Sequence, residues 1–266
     1  MRRRTMIGTL LGTALLLCRN VRAQSVPAGA ASSLAPSGNL RIAINYGNVA
    51  LAHRDPATGK LSGISVDIAE ELARRLGVPL TLVPFDAAGK VSAATTKDLW
   101  DVAFLARDPE RARDIVFTAP YVVINGTYVV RKDSDLNSPE HVDRDGIRIA
   151  VSGQSVYDLF LSRTLKHAKI VRAGSPLEAA AMFQSDRLEV CAGVQSAMQQ
   201  LATTSSSLRM IAEPFMQINQ AMGIPAGRAA GAAYLAAFVE SIKADGFVQK
   251  ALTRNGQADA SVAPPG

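Results

Sequence analysis

The sequence predicts an α/β protein of two lobes joined by two extended crossings. Strand-like and helix-like segments alternate from Leu40 to Leu105, and a second alternation runs from Ile147 to Ile211. Each is followed by a β-rich stretch, Tyr121–Arg131 and Gln217–Ile224. Alternation of this kind builds a mostly parallel sheet flanked by helices. Ligands bind such sheets at the carboxyl ends of the strands, so a cleft between two lobes is a natural small-molecule site.

The elements follow in order. Leu40–Ile44 is a short β-prone run. Val66–Leu76 is an amphipathic helix with Ile68, Ala69, Leu72, Ala73 and Leu76 on one stripe. Asp67 suits its first turn, and Gly77 stands where a left-handed cap belongs. Pro79–Phe85 is a strand, Ala88–Lys97 a weaker helix and Trp100–Leu105 a strand. After the first crossing, which contains Asn125-Gly126, Ile147–Val151 is a strand and Ser155 caps a helix running to His167. Lys169–Arg172 is the next strand. Ser175-Pro176-Leu177-Glu178 is a capping box with proline at the first helical position. Leu188–Ala192 and Leu208–Ile211 are strands with a helix between them. Ala229–Lys243 is a helix with Tyr234, Leu235, Phe238, Val239 and Ile242 on one face. Ala244-Asp245-Gly246 breaks it before a last short helix, 247–253.

The two ends have a different character. Arg2-Arg3-Arg4 is a positive region, Ile7–Leu17 is an apolar run, and Val21-Arg22-Ala23 offers a small-residue cleavage site. The apolar run is shorter than the roughly 20 residues that cross a bilayer. Residues 1–23 therefore read as a signal peptide, cleaved after Ala23, that sends the protein to the periplasm. Cys18 offers a lipoprotein alternative, but Leu17 before it is too large for that signal. Residues 24–38 read as a flexible tether without packing surface, and 255–266 as a loose tail.

Charge excludes one class of partner. Five of the 29 basic residues lie within the first 23 positions, which leaves 24 basic against 23 acidic residues in the mature chain. Such a balance cannot hold a nucleic acid by charge alone. No phosphate loop, dinucleotide fingerprint, zinc motif or CxxC pair is present, so neither a cofactor nor a metal is expected. Thr58-Gly59-Lys60 reads as a turn. Gly153-Gln154-Ser155-Val156-Tyr157 lacks the second glycine of a nucleophile elbow. Cys191, in an apolar run, reads as a small buried hydrophobe.

Several segments together resemble the bacterial extracellular solute-binding proteins of family 3. Gly59-Lys60-Leu61-Ser62-Gly63-Ile64-Ser65-Val66-Asp67-Ile68-Ala69 is similar to that family's "GKLxGFDVDLA". Trp100-Asp101-Val102, Pro109-Glu110-Arg111-Ala112 and Val116-Phe117-Thr118-Ala119-Pro120-Tyr121 resemble its "DV…TPERA…VDFSDPYY". Ile242-Lys243-Ala244-Asp245-Gly246 resembles its "LKADG". The likeness covers about 39–254 in order. It implies a periplasmic binding protein type II fold, a Venus flytrap with two crossover strands as hinge. Lobe 1 would be 39–121 with 223–254, lobe 2 would be 127–216, and the hinge would be 122–126 and 217–222.

Carried over residue by residue, the resemblance implies a carboxylate-binding role for Arg111. A guanidinium grips a carboxylate through two parallel hydrogen bonds. The competing reading is a surface salt bridge with Asp114 or Glu110. The family's first-strand acid falls on Asn45, and its ligand-sandwiching aromatics fall on Asn48, Leu51 and Ala87. The loop before Arg111 is about two residues shorter than the family's. That leaves the register of Arg107 and Asp108 open, and both are ligand-binding candidates, Asp108 as a substitute acid. The family's second-lobe loop falls on Ser152-Gly153-Gln154-Ser155, whose helix N-terminus suits an anion. The aspartate that holds an α-ammonium in the family belongs near Gly193-Val194-Gln195, where no acid stands. The amides of Asn45, Gln154 and Gln195 cannot neutralise a cation.

The implied function is capture of a small polar, carboxylate-bearing solute by a monomer that passes it to an ABC permease in the inner membrane, without chemistry. Two rivals share the scaffold: a periplasmic dehydratase of the cyclohexadienyl dehydratase kind, and a ligand-sensing module for a receptor.

Overall fold

A computed structural model describes residues 26–266. The expected signal peptide 1–23, with Cys18, lies outside the described residues. No described helix is long and apolar enough to cross a membrane.

The first body begins with a short helix, α1 (Ala30–Leu34), then β1 (Leu40–Asn45) and a small hairpin of β2 (His53–Arg54) and β3 (Leu61–Ser62). Gly59 supplies the left-handed turn of that hairpin, at φ 71°. Next come α2 (Ile64–Leu76), β4 (Leu80–Phe85), α3 (Ala88–Ala93) and β5 (Val102–Ala106). Helix α2 buries the predicted stripe and ends on Gly77 at φ 68°. The expected helix to Lys97 stops at Ala93, and a 3-10 turn follows at Thr95–Lys97. Trp100 explains the change, because its indole Nε1 donates to the Val91 carbonyl and draws the chain back under α3.

Strand β6 (Ile115–Arg131) then leads into the second body: β7 (Arg148–Ser152), α4 (Val156–Thr164), β8 (Lys169–Ala173), α5 (Pro176–Ser185), β9 (Val190–Val194), α6 (Gln195–Thr203) and β10 (Leu208–Met210). Strand β11 (Met216–Pro225) returns, followed by α7 (Ala229–Ala244), α8 (Phe247–Arg254) and β12 (Ser261–Val262). Helix α4 ends three residues before His167 because Asp143 captures the amides of Lys166, His167 and Ala168. A carboxylate accepting those amides replaces the continuing helical bonds.

The strands run in the order β4-β1-β5-β11-β6-β9-β7-β8. Each body has a parallel trio, β4-β1-β5 in one and β9-β7-β8 in the other. The antiparallel pair β6 and β11 joins them, with Met216 opposite Gly126 at one end and Pro225 opposite Ile115 at the other. Pro120 lacks an amide hydrogen, and the β6–β11 register shifts between Gln220 and Ala221, where Pro120 lies opposite.

Both ends of the described chain are docked, contrary to the expected tether and loose tail. In the stretch 24–38, Ala30 and Leu34 are buried, and Ser33 Oγ accepts from the Gly231 amide of α7 at 3.0 Å. At the C-terminus, Ser261 and Val262 pair with Val123 and Val122 of β6. Ala263 donates to the Tyr121 carbonyl, and Lys243 Nζ donates to the Pro264 carbonyl. The composition of both stretches is small and polar, but α1 buries Ala30 and Leu34 at one end, and at the other β6 offers an open edge whose backbone pairing needs no side-chain signal.

A buried acid of the first body, Asp101, is architectural. Asp101 is fully buried, accepts two bonds from the Arg41 guanidinium at 2.9 Å, and accepts another from Arg228 at 3.0 Å. It ties β1 to the start of α7.

Candidate functional site

A cavity of about 590 Å³ lies between the two bodies. It gathers the carboxyl ends of β1, β5, β7 and β9 and the first turns of α4, α5 and α6. This is where parallel α/β sheets place ligands.

Arg111 enters from a 3-10 turn, Arg111–Arg113, and only 5% of it is exposed. Its Nη1 donates to the Ala106 carbonyl at 2.9 Å, and its Nη2 donates to the Gln154 carbonyl at 2.8 Å. The surface salt bridge with Asp114 or Glu110 is not what forms. Glu110 and Asp108 turn instead to Arg163. Burial pushes the guanidinium pKa down to about 10, so it stays charged at neutral pH. Its Nε is buried without a partner. A buried cation bonded only to carbonyl oxygens is costly unless an anion joins it.

Gln154 is held for this contact in an uncommon backbone conformation, φ 58°. Its amide donates to Asp158 Oδ2 at 2.8 Å, and Arg172 Nε donates to both oxygens of Asp158 at 3.0 Å. Ser155 Oγ, the cap of α4, accepts from the Asp158 amide at 3.1 Å. The loop is therefore fixed before any ligand arrives. Beside it, Ser152 lines the cavity, and its Oγ is buried without a partner. Each body thus contributes to the lining one residue with a buried, unpaired polar atom.

Of the sequence-predicted residues, Arg111, Asn45, Asn48 and Ser155 line the cavity. Asn45 Oδ1 accepts from the Gly47 amide and Asn48 Oδ1 from the Ala50 amide. These bonds use the oxygens and keep the NH2 groups as donors for a ligand. The other four are elsewhere. Arg107 is exposed and outside the lining, because it alternates with Ala106 and Asp108, both buried. Asp108 is also outside the lining. Its Oδ2 accepts from Arg163 of α4 at 2.7 Å, so it bridges the two bodies. Gln154 contributes its carbonyl to Arg111 while its side chain stays out of the cavity. Gln195 Oε1 accepts from Asn125 Nδ2 at 3.0 Å and is also outside.

Sequence reasoning missed other lining residues. Leu51, on which one of the family's aromatics falls, lines the cavity and Ala87 does not, but Tyr46, Phe104 and Tyr157 bring aromatic rings from other positions. Phe104 comes from the middle of β5 and Tyr157 from the first turn of α4, segments with no local ligand signal. Of the turn at the end of β9, Gly193 and Val194 face the cavity. Two acids stand in the lining, and both are engaged. Asp86 pairs with Lys90 Nζ at 2.7 Å, and Glu178 Oε2 accepts from the Gly174 amide at 3.0 Å in the predicted capping box. Cys191 is buried, and burial pushes its thiol up to about 12.

The sequence model of the bacterial extracellular solute-binding proteins, family 3, matches residues 40–257. Cyclohexadienyl dehydratase of Pseudomonas aeruginosa is 26% identical over 172 residues, which is 63% of this chain and 62% of the relative's length. Among solved structures, the cysteine-binding protein of Campylobacter jejuni is similar with TM-score 0.75 and 17% identity, over 87% of this chain and 94% of that one. A mutant of ArgBP from T. maritima gives TM-score 0.72 and 20% identity, over 85% and 98%. An ancestral amino acid-binding protein, described as a precursor of cyclohexadienyl dehydratase, gives TM-score 0.72 and 20% identity, over 85% and 99%.

Proposed function

Given that this chain belongs to the bacterial extracellular solute-binding proteins of family 3, we propose that it captures a small carboxylate-bearing solute and delivers it to an ABC importer. The observation that carries this reading is Arg111, a buried cation whose Nε has no partner, at a cavity between two bodies. Ser152 Oγ and the first turn of α4 would complete the anion's cradle from the second body. In this reading 39–121 with 223–254 form one lobe and 127–216 the other. They close by bending at 122–126 and 217–222, a hinge motion of the kind two-lobed binders use. The protein works in the periplasm as a monomer, and its partner is an inner-membrane permease.

The cleft suits a solute without an ammonium group. Val194 and Gly193 stand at the end of β9, and Asp86 and Glu178 are already engaged. Asn45 and Asn48 can donate to a neutral or anionic group but cannot neutralise a cation. The likeness to a dehydratase favours a second reading, catalysis on the same scaffold. That reaction needs a positioned free acid, and both cavity acids are held by other groups.

The test is a matched set of amino acids and their deaminated 2-hydroxy analogues, followed by thermal shift and calorimetry. A ligand at 100 times its dissociation constant should add about 2.7 kcal/mol of stability. The hydroxy acid should bind more tightly than its amino acid and be recovered unchanged by mass spectrometry. Loss of water from a cyclohexadienyl acid would instead establish the dehydratase reading.

A further inference from the structure

The cavity does not end at the cleft. It continues from Arg111 past the end of β9 and between α5 and α6, where Ala180, Ala197, Met198 and Leu201 line it. These four side chains are apolar, and Gln200 of α6 and Thr204 just after it line the same cavity. Met198 bends over Gly193 so closely that a Cβ there would stand 2.7 Å from Met198 Cε. A thioether on an unbranched chain can repack around an entering group. At the rim, Leu177 is 81% exposed, a large apolar side chain that also lines this cavity. The volume of about 590 Å³ falls within the range of roughly 300–1,000 Å³ typical of sites that enclose drug-sized ligands.

We propose that the solute carries an apolar arm, aryl or alkyl, which lies between α5 and α6 while its carboxylate meets Arg111. This deepens the carboxylate reading and depends on it. The arm explains why Val194 lines the passage at the end of β9, since an apolar chain must pass that point to reach Ala197 and Leu201. Burying each methylene there contributes affinity by removing apolar surface from water, about fourfold per group.

The test is calorimetry of the mature protein with propionate, hexanoate, octanoate and 4-phenylbutyrate. Affinity should climb with chain length, about fourfold per methylene until the arm is full. Ala197→Phe and, separately, Ala180→Leu should each lower hexanoate affinity at least tenfold and bring its ratio to propionate toward one. Circular dichroism melts identify any variant that has failed to fold, and the other variant then decides. Equal affinity for all chain lengths, or full hexanoate affinity in the folded variants, overturns the arm and leaves the carboxylate reading standing. No binding of any acid to the native protein removes both.

Discussion

Arg111 and Gln154 meet across the cleft, the guanidinium Nη2 of the first donating to the carbonyl oxygen of the second at 2.8 Å. One follows β5 and the other lies in the β7–α4 loop, 43 residues further along the chain. The two bodies therefore share in the surroundings of this buried cation. In the proposed reading, ligand binding at Arg111 and closure of the bodies would be coupled through this contact, beside the Asp108–Arg163 ion pair.

Replacing Arg111 separates affinity from stability. Arg111→Met should cost about 2–5 kcal/mol of carboxylate binding, or roughly 30- to several-thousand-fold. The ligand-free protein should keep its stability or gain some, because an apolar group of similar volume replaces a buried charge that no carboxylate bonds directly. Calorimetry and urea denaturation measure the two effects. A variant that binds as tightly as the native protein would remove Arg111 from the site.

Gly89 tests closure without touching the cavity lining. A Cβ at this position would stand 2.7 Å from Gln154 Cβ and 2.8 Å from the Gly153 carbonyl oxygen. Gly89→Val should hold the bodies apart, enlarge the radius of gyration by X-ray scattering, and speed ligand release. Unchanged scattering and release rate would show that the α3 turn gives way instead.

Asp108 is spent on Arg163, so it should not set the choice of ligand. Asp108→Asn should weaken amino acids and their hydroxy analogues by a similar factor, as the closed form loses an interbody ion pair. Its Arg163 partner is 42% exposed, so the effect is small, about 1 kcal/mol. Selective loss of amino-acid binding would place Asp108 in the cleft.

Asp101 should govern acid stability. Hydrogen bonds from Arg41 and Arg228 hold its pKa below the ordinary carboxylate value, outweighing the upward push of its burial. A depressed folded-state pKa contributes stability that is complete above the unfolded value of about 3.9 and is lost as pH falls through the folded value. Asp101→Asn should cost about 3–5 kcal/mol at neutral pH, since it leaves two guanidinium groups without their anion. The gap between the denaturant midpoints of the native and variant proteins should narrow as pH falls from 7 to 3. A constant gap would contradict the assignment.

Local signals in the sequence were enough to set the architecture. The stripe on α2 with its Gly77 cap, the Ser175–Glu178 capping box and the two extended crossings each depend on residues a few positions apart. Such patterns survive in a linear reading. Arg111 was also legible, through the segment around it. What the sequence could not decide was where distant groups meet. Asp108 finds Arg163 at 55 residues' separation, and Gln195 finds Asn125 at 70. Both were drawn away from the cavity by partners that no local pattern announces. The docked C-terminus is the same case, because β12 is held by the open edge of β6 and not by its own composition. Periodicity reports which face of an element is buried, while only the packed fold settles which buried polar atom is left without a partner.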